Sequence, residues 1–320
     1  MSILSLLTTA ALICSSAAFP GLGGARRDLK IIQRHPKAAA ATTSASGSSA
    51  SSFPAWHPAR PGEVRSPCPG LNSLANHDIC PRSGKGYTLP ILTACLAKGL
   101  NMGADFTLAI GTAGFASNPD PELLYFDLDM LQKHDFVIEH DASLSRADAS
   151  TGDNHSFNQT IWNSVTAFFA NQDNATIETA AKAKFNRVTT EAARDPEFSY
   201  GPAQFILSYG ETALYLSTMG DPTTGSAPVD YVNVFFQEER LPYEEGWRPT
   251  LEPTTLSTLG AMIFELNIAN GEVVPEGSIL GEHSLRAVLV GVDAITGLVE
   301  NPILYAVSKL TSALGALTGS

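Results

Sequence analysis

The 320-residue chain carries 20 Lys and Arg against 32 Asp and Glu, a formal net charge of −12, with 44% hydrophobic residues. An acidic surface repels nucleic acid and anionic membranes, so neither is an expected partner, and small neutral molecules fit better. The hydrophobic share suits one fair-sized globular domain plus extensions.

Residues 1–18 run from an apolar stretch, Ile3 to Cys14, into the small residues Ser16, Ala17 and Ala18. This is the pattern of a cleaved secretory signal, too short to span a bilayer. Residues 19–55 hold Arg26, Arg27, Lys30, Arg34 and Lys37 and then AAAATTSASGSSASS, which reads as a propeptide or linker. The cluster Gly21, Gly23 and Gly24 has no strand before it and no βαβ unit after it, so no dinucleotide site is expected. A folded domain is expected over 56–280, with a C-terminal helical extension over 281–320.

Within that domain helical periodicity dominates, with few alternating strand-like runs. One helix is expected directly after Pro69, and a second over Thr88–Leu100 with Pro90 in its first turn. Asn158–Asn171 places Ile161, Val165 and Phe168 on one face, and Ala175–Arg194 does the same with Ile177, Ala181, Phe185 and Val188. GPAQFILSYGETALYL reads as one further helix, and Thr255–Asn270 repeats Leu256, Leu259, Ile263 and Leu266 before a stop at Asn270–Gly271. Loops are expected at Pro119–Pro121, Gly220–Pro228 and Leu241–Pro253. The tail after Ser284 lacks an uninterrupted apolar span of about 20 residues, so a helix packed on the domain is expected there rather than a membrane anchor.

Asn154-His-Ser, Asn158-Gln-Thr and Asn174-Ala-Thr are glycosylation sequons close together in a polar stretch, in keeping with a secreted protein. Removal of the signal takes Cys14 and leaves Cys68, Cys80 and Cys95, an odd number for an oxidising compartment. A metal-bound thiolate accounts for the odd thiol; Cys68 as half of a disulfide is the competing account, and Cys80 and Cys95 are spaced to bridge a short helical hairpin.

Three constellations carry chemistry. Cys68 sits between Pro67 and Pro69, where the free amides of Gly70 and Leu71 and the positive end of a helix favour a thiolate. Asn72 and Asn76 are placed to tie that loop together, with Leu71 and Leu74 packing inward. Glu139-His140-Asp141-Ala142-Ser143 follows an apolar Phe136–Ile138; on a turn opening a helix, Glu139 and Ser143 lie four positions apart and offer oxygens to one hard cation. Asp141 is then available to orient the His140 ring, while a solvated corner is the plainer alternative. Glu211 shares a helix face with Leu207, Leu214 and Tyr215, and with Gln204 two turns earlier. Burial there raises a carboxyl pKa into the range for proton shuttling; a glutamate on a helix rim is the alternative.

In this order the three pieces resemble the fungal haem-thiolate peroxidase family of chloroperoxidase and the unspecific peroxygenases, over about Trp56 to Ile268. The resemblance implies an all-α fold, a single multi-helix domain with a proximal and a distal helical side and haem b between them. It makes Cys68 the axial iron ligand, supported by Pro67, Pro69, Asn72, Asn76 and Asp141. Glu139, Ser143 and the backbone carbonyl of His140 would hold Mg2+ or Mn2+ beside a haem propionate. Glu211 with His140 would form the acid–base pair, and Ile138 and Leu214 would line the substrate pocket. Gln204, where the long peroxygenases have arginine, is similar to the short type. The activity implied is that of a secreted monomer using hydrogen peroxide on small organic substrates, or on halide as in chloroperoxidase. Two other classes compete: a cysteine hydrolase pairing Cys68 with His77 or His140, and a secreted binding protein held by a disulfide.

Overall fold

Helix α1, Pro69–Asn76, opens on a proline whose missing N–H is one of the helix's unpartnered donors anyway, and Cys68 occupies the preceding cap position. The computed structural model describes residues 53–134, 138–278 and 280, all within one compact unit. The expected signal, nearly all of the linker, and the 281–320 extension lie outside the described residues.

Seven more helices follow among the described residues: α2 Leu89–Leu100, α3 Ala104–Phe115, α4 Gln159–Thr166, α5 Ile177–Arg194, α6 Pro202–Met219, α7 Val229–Gln237 and α8 Leu256–Asn270. The fold is all-α. Among the described residues one small sheet pairs β1, Asn174–Ala175, antiparallel with β2, Ala227–Pro228.

The helix ends match local chemistry. Thr255 accepts from Thr258 N at the start of α8, and Gly271 ends it at φ 68. Thr176 caps α5 in the same way, so the expected start at Ala175 moves inward by two residues. Thr88 precedes α2 but its side chain makes no cap bond. The expected Asn158–Asn171 helix is shorter: α4 ends at Thr166 and tightens into a 3-10 turn, Ala167–Phe169. Helices α3 and α7 were not expected from the sequence.

Helix α6 is the spine. Packed by α8, α5 and α7, it buries Phe205, Ile206, Tyr209, Ala213 and Leu216 almost completely. Trp162 of α4 stacks on Phe236 of α7 at 4.3 Å, and Tyr215 of α6 meets the same ring edge-on at 5.5 Å. Helix α1 is set by α2: the fully buried Leu74 fills the space above Gly99, and a disulfide joins Cys80 to Cys95, so these two thiols do pair. Among the described residues no helix is long and apolar enough to cross a membrane.

A Cβ at Gly99 would stand 2.2 Å from Leu74 Cδ2. Gly99→Ala is therefore expected to lower stability by about 1–3 kcal/mol, the usual range for overpacking, and to do so by displacing the helix that carries Cys68. Denaturant unfolding measures it; an unchanged midpoint contradicts the packing described.

Candidate active site

The sulfur end is built from the cap of α1. Cys68 N donates to Ser66 Oγ at 3.2 Å, Asn72 N donates to Cys68 O at 3.2 Å, and the amides of Gly70 and Leu71 point at the sulfur. Asn72 holds the approach to the cysteine: its Oδ1 accepts from Ser66 N at 2.8 Å and its Nδ2 donates to Ser66 O at 2.7 Å. The same Nδ2 donates to Glu239 Oε1 at 2.8 Å, while Asn76 Oδ1 accepts from Arg65 Nε at 2.9 Å and Asn76 Nδ2 donates to Glu239 O at 3.1 Å. Both asparagines thus fasten the loop. Cys68 is the free cysteine among the described residues.

The thiol is nevertheless not activated in the way the helix terminus alone predicts. Burial pushes its pKa up, and the Glu211 carboxylate adds to that; the amides of Leu71 and Gly70 and the Arg146 charge pull it back without prevailing. Desolvation of a would-be anion outweighs two amide dipoles.

The second wall comes from residues 138–148. The expected helical turn is absent: the stretch is irregular, and Ala142 adopts φ 62, a left-handed conformation unusual for alanine. Three side chains hold it there. Asp148 Oδ1 accepts from Ala142 N at 2.9 Å, Lys184 Nζ donates to Ala142 O at 2.7 Å, and Arg187 Nε donates to Ser143 O at 2.9 Å. Lys184 and Arg187 are one turn apart on α5, so one helix face grips two successive carbonyls. Burial lowers the Lys184 pKa to about 8, against the pull of Glu211 and other carboxylates.

His140 is 3% exposed. Its Nδ1 donates to the main-chain carbonyl of Asp141 at 2.7 Å, which aims Nε2 at Glu211 Oε2, 3.5 Å away. The backbone of Asp141, not its carboxylate, therefore orients the ring; the carboxylate accepts instead from Ser199 N at 2.9 Å. Glu139 faces His134, whose Nδ1 lies 2.7 Å from Oε2, and Asn154 also bonds to it. Asn154 Nδ2 donates to Gln132 O at 2.9 Å, so the nitrogen that a glycan would occupy is engaged, whereas the Asn174 side chain is exposed.

Helix α6 supplies the third wall. Leu207, Gly210, Glu211, Leu214, Tyr215 and Thr218 all face one cavity, the i, i+3, i+4, i+7 stripe expected of one helix face. Gln204 is outside that stripe; its Oε1 accepts from Gly201 N at 3.1 Å at the helix start. Glu211 is 44% exposed, but its free surface looks into the cavity rather than outward. Its pKa lies below the ordinary carboxylate value, contrary to the expectation from burial. Burial does push it up, but the charges of His140, then Lys184 and Arg146, outweigh that. Reciprocally, burial pulls His140 down while Glu211 and the Asp141 carbonyl bring its pKa above the ordinary value. The two form an ion pair in which His140 is buried and Glu211 is open to the cavity.

The cavity measures about 210 Å3 and brings Cys68, Ile138, Glu139, His140, Ser143, Glu211 and Leu214 together. Most of its remaining wall is aliphatic or aromatic, from Leu92, Leu96 and Phe106 to Phe235. Pro67 and Pro69 border it too. Neither histidine is set to activate the thiol: His77 bonds Pro54 O through Nδ1 at 2.8 Å and takes Leu241 N on Nε2 at 3.1 Å, and His140 turns to Glu211.

Sequence reading missed several supports. Arg146, 1% exposed, donates to Glu239 Oε1 at 2.6 Å and acts electrostatically on both Cys68 and Glu211. Glu239 links Trp56, Asn72, Asn76 and Arg146. Asp141, Asp148 and Asp195 bring carboxylate oxygens within 4.8 Å of one another behind the loop, and burial, then the Glu191 charge, raises Asp148 to about 7. No local motif marks these residues, because their partners are remote in sequence.

Comparison with known proteins matches residues 54–251 to the family described as "Peroxidase, family 2". An "Aromatic peroxygenase" of Cyclocybe aegerita is 33% identical over 211 residues, 58% of this chain and 56% of that protein. One of the same name from Coprinellus radians is 30% identical over 223 residues, 60% of this chain and 82% of its own. "Aromatic peroxidase fscJ" of Fusarium equiseti is 26% identical over 220 residues, 58% of this chain and 50% of its own. The match therefore spans little more than half the length of the Cyclocybe aegerita relative.

The ion pair has a direct test. His140→Gln removes the main influence holding the Glu211 carboxyl down, so burial prevails and the Glu211 pKa is expected to rise. An infrared carboxyl titration, with Glu211→Gln as the blank, reads this; a Glu211 pKa unmoved by the substitution contradicts the pairing.

Proposed function

Because this chain belongs to the family described as Peroxidase, family 2, we propose that it is a secreted, hydrogen-peroxide-dependent oxidoreductase that holds haem b through Cys68. Its reaction is insertion of oxygen into C–H and C=C bonds of small organic substrates, with one-electron oxidation as a side activity. The observation that carries this reading is one apolar cavity bearing a free thiol on one wall and a histidine-paired carboxylate on another.

The residues present fit the cofactor. A half-buried thiol kept protonated by its surroundings, yet already faced by two amides, would become a thiolate once a cationic iron takes the proton's place. Gly70 leaves the sulfur's flank open, since even a Cβ there would lie 3.8 Å from Sγ. The aliphatic and aromatic walls suit the faces of a porphyrin. Glu139, Ser143 and the carbonyl of His140 are the proposed oxygen ligands for Mg2+ or Mn2+. When bound, a thiolate-ligated haem supplies redox chemistry in which electron donation from sulfur favours O–O cleavage.

The chain's own groups then handle the proton. Glu211, anionic beside His140, takes a proton from hydrogen peroxide and returns it to the departing hydroxyl, which leaves as water. His140 keeps the carboxylate charged and aimed. Ile138 and Leu214 border the space left for substrate, and their apolar surface supports organic substrates over halide. The hydrolase alternative loses its footing, because the thiol is held up rather than activated, His77 is bonded to Pro54 O and Leu241 N, and His140 is paired with Glu211.

Glu211→Gln is expected to keep the bound haem spectrum and slow peroxide consumption roughly 10²–10⁴-fold, the range for removing a general acid–base group. Stopped-flow mixing with peroxide measures it, and turnover equal to that of the unaltered protein removes Glu211 from this role.

A further inference from the structure

Tyr209 belongs to the same helix as Glu211 but points elsewhere. They lie two positions apart, about 200° around the helix, and Tyr209 is absent from the cavity wall while Gly210 and Glu211 belong to it. The ring is fully buried. Its hydroxyl donates to Glu272 Oε2 and accepts from Asn270 Nδ2 at 2.6 Å. Among the described residues this is the phenol that donates to a carboxylate; Tyr87 donates to Pro81 O and Tyr200 to Ser208 Oγ, at 3.1 Å in each case.

Such a pair has a definite redox character. Burial, then the charge and hydrogen bond of Glu272, raise the Tyr209 pKa, so the phenol rests neutral and does not lose its proton first. Loss of an electron makes the phenol strongly acidic, and a base already bonded to the hydroxyl takes the proton in the same event. Glu272 is suited to that: burial raises its pKa above the ordinary carboxylate value, despite the bond from Tyr209 and the charge of Lys184.

The pair is also wired outward. The Tyr209 ring lies 4.8 Å from Phe205, Phe205 lies 6.3 Å from Tyr200, and Tyr200 stacks on Phe198 at 5.6 Å. Phe198 and Tyr200 are half-buried and reach the surface. An unbroken file of aromatic rings, each within contact range of the next, therefore leads from the spine helix to solvent, away from the cavity.

We propose that Tyr209 and Glu272 form a second oxidation site, through which electron-rich phenols too large for the cavity give up single electrons at the Phe198–Tyr200 surface. This rests on the haem-peroxide reading above. Tyr209 passes one electron to the haem once peroxide has oxidised it, its O–H bond breaks, and the proton moves to Glu272, leaving a neutral phenoxyl radical beside a carboxylic acid. A phenol at the surface then returns one electron along the ring file and releases its own proton to water, while Glu272 gives its proton back to Tyr209. The haem is reduced by one electron and the external phenol is oxidised by one.

The experiment uses haem-loaded full chain, mixed with hydrogen peroxide and freeze-quenched for electron paramagnetic resonance. Absorption is recorded in parallel, and dextran-coupled 2,6-dimethoxyphenol serves as the bulky donor. A tyrosyl signal is expected in the unaltered protein and in Tyr87→Phe. Tyr209→Phe and Glu272→Gln are each expected to lose it and to slow oxidation of the dextran-coupled phenol about tenfold or more, while a small substrate is oxygenated at a rate within about twofold. A tyrosyl signal undiminished in Tyr209→Phe, or an unchanged rate with the coupled phenol, overturns the proposal. If peroxide leaves the haem absorption of the unaltered protein unchanged, the cavity reading itself is wrong, and the second site falls with it; the absorption record separates that outcome from the others.

Discussion

Two acidic groups, the Cys68 thiol and the Glu211 carboxyl, share one apolar cavity, and the Glu211 charge adds to the desolvation that makes a thiolate costly there. The protein resolves the conflict asymmetrically. Glu211 receives His140 and stays charged; the thiol receives two amides and a distant arginine, which do not suffice, and stays protonated. A site arranged in this way is incomplete at the sulfur. The iron porphyrin proposed above would complete it, supplying a cation to the sulfur and faces that match the apolar walls.

The rest of the scaffold fixes the two groups relative to each other. Helix α1 aims the sulfur, and the hub at Glu239 fastens α1 to Arg146 and to the Trp56 segment. On the other side α5 grips the loop through Lys184 and Arg187, holding Ala142 in its left-handed turn so that His140 faces α6. Buried charge is expensive unless it is bonded, so each of these cations is spent on a carbonyl or a carboxylate. The same economy leaves the Tyr209–Glu272 pair on the reverse of α6, satisfied by its own hydrogen bonds and by Asn270.

Much of this was legible in the sequence where the signal is local. The Pro67-Cys68-Pro69 cap, the inward face around Glu211 and the ends of α8 follow from neighbours within two turns, and the structure reproduces them. Local reasoning failed where long-range contacts decide. The pKa direction of Cys68 reversed because burial outweighs the amide dipoles, and that of Glu211 because His140, Lys184 and Arg146, brought in by other elements, outweigh burial. The Glu139–Ser143 turn is irregular because α5 and Asp148, not helix propensity, hold it. Arg146 and Glu239 lie 93 positions apart, and Asn72 and Glu239 167 apart, so no spacing rule finds either pair. Helix α3 escaped because ADFTLAIGTAGF is apolar on most sides and rich in glycine and threonine, leaving little periodicity to read.

The central claim is the bond from the sulfur of Cys68 to iron. Its most direct test is the absorption spectrum of the reduced, carbon-monoxide-bound, haem-loaded protein beside that of Cys68→Ala. The account predicts the red-shifted Soret band of a thiolate-ligated haem in the unaltered protein and its loss in the variant. The same red-shifted band in both proteins, or in neither, contradicts it.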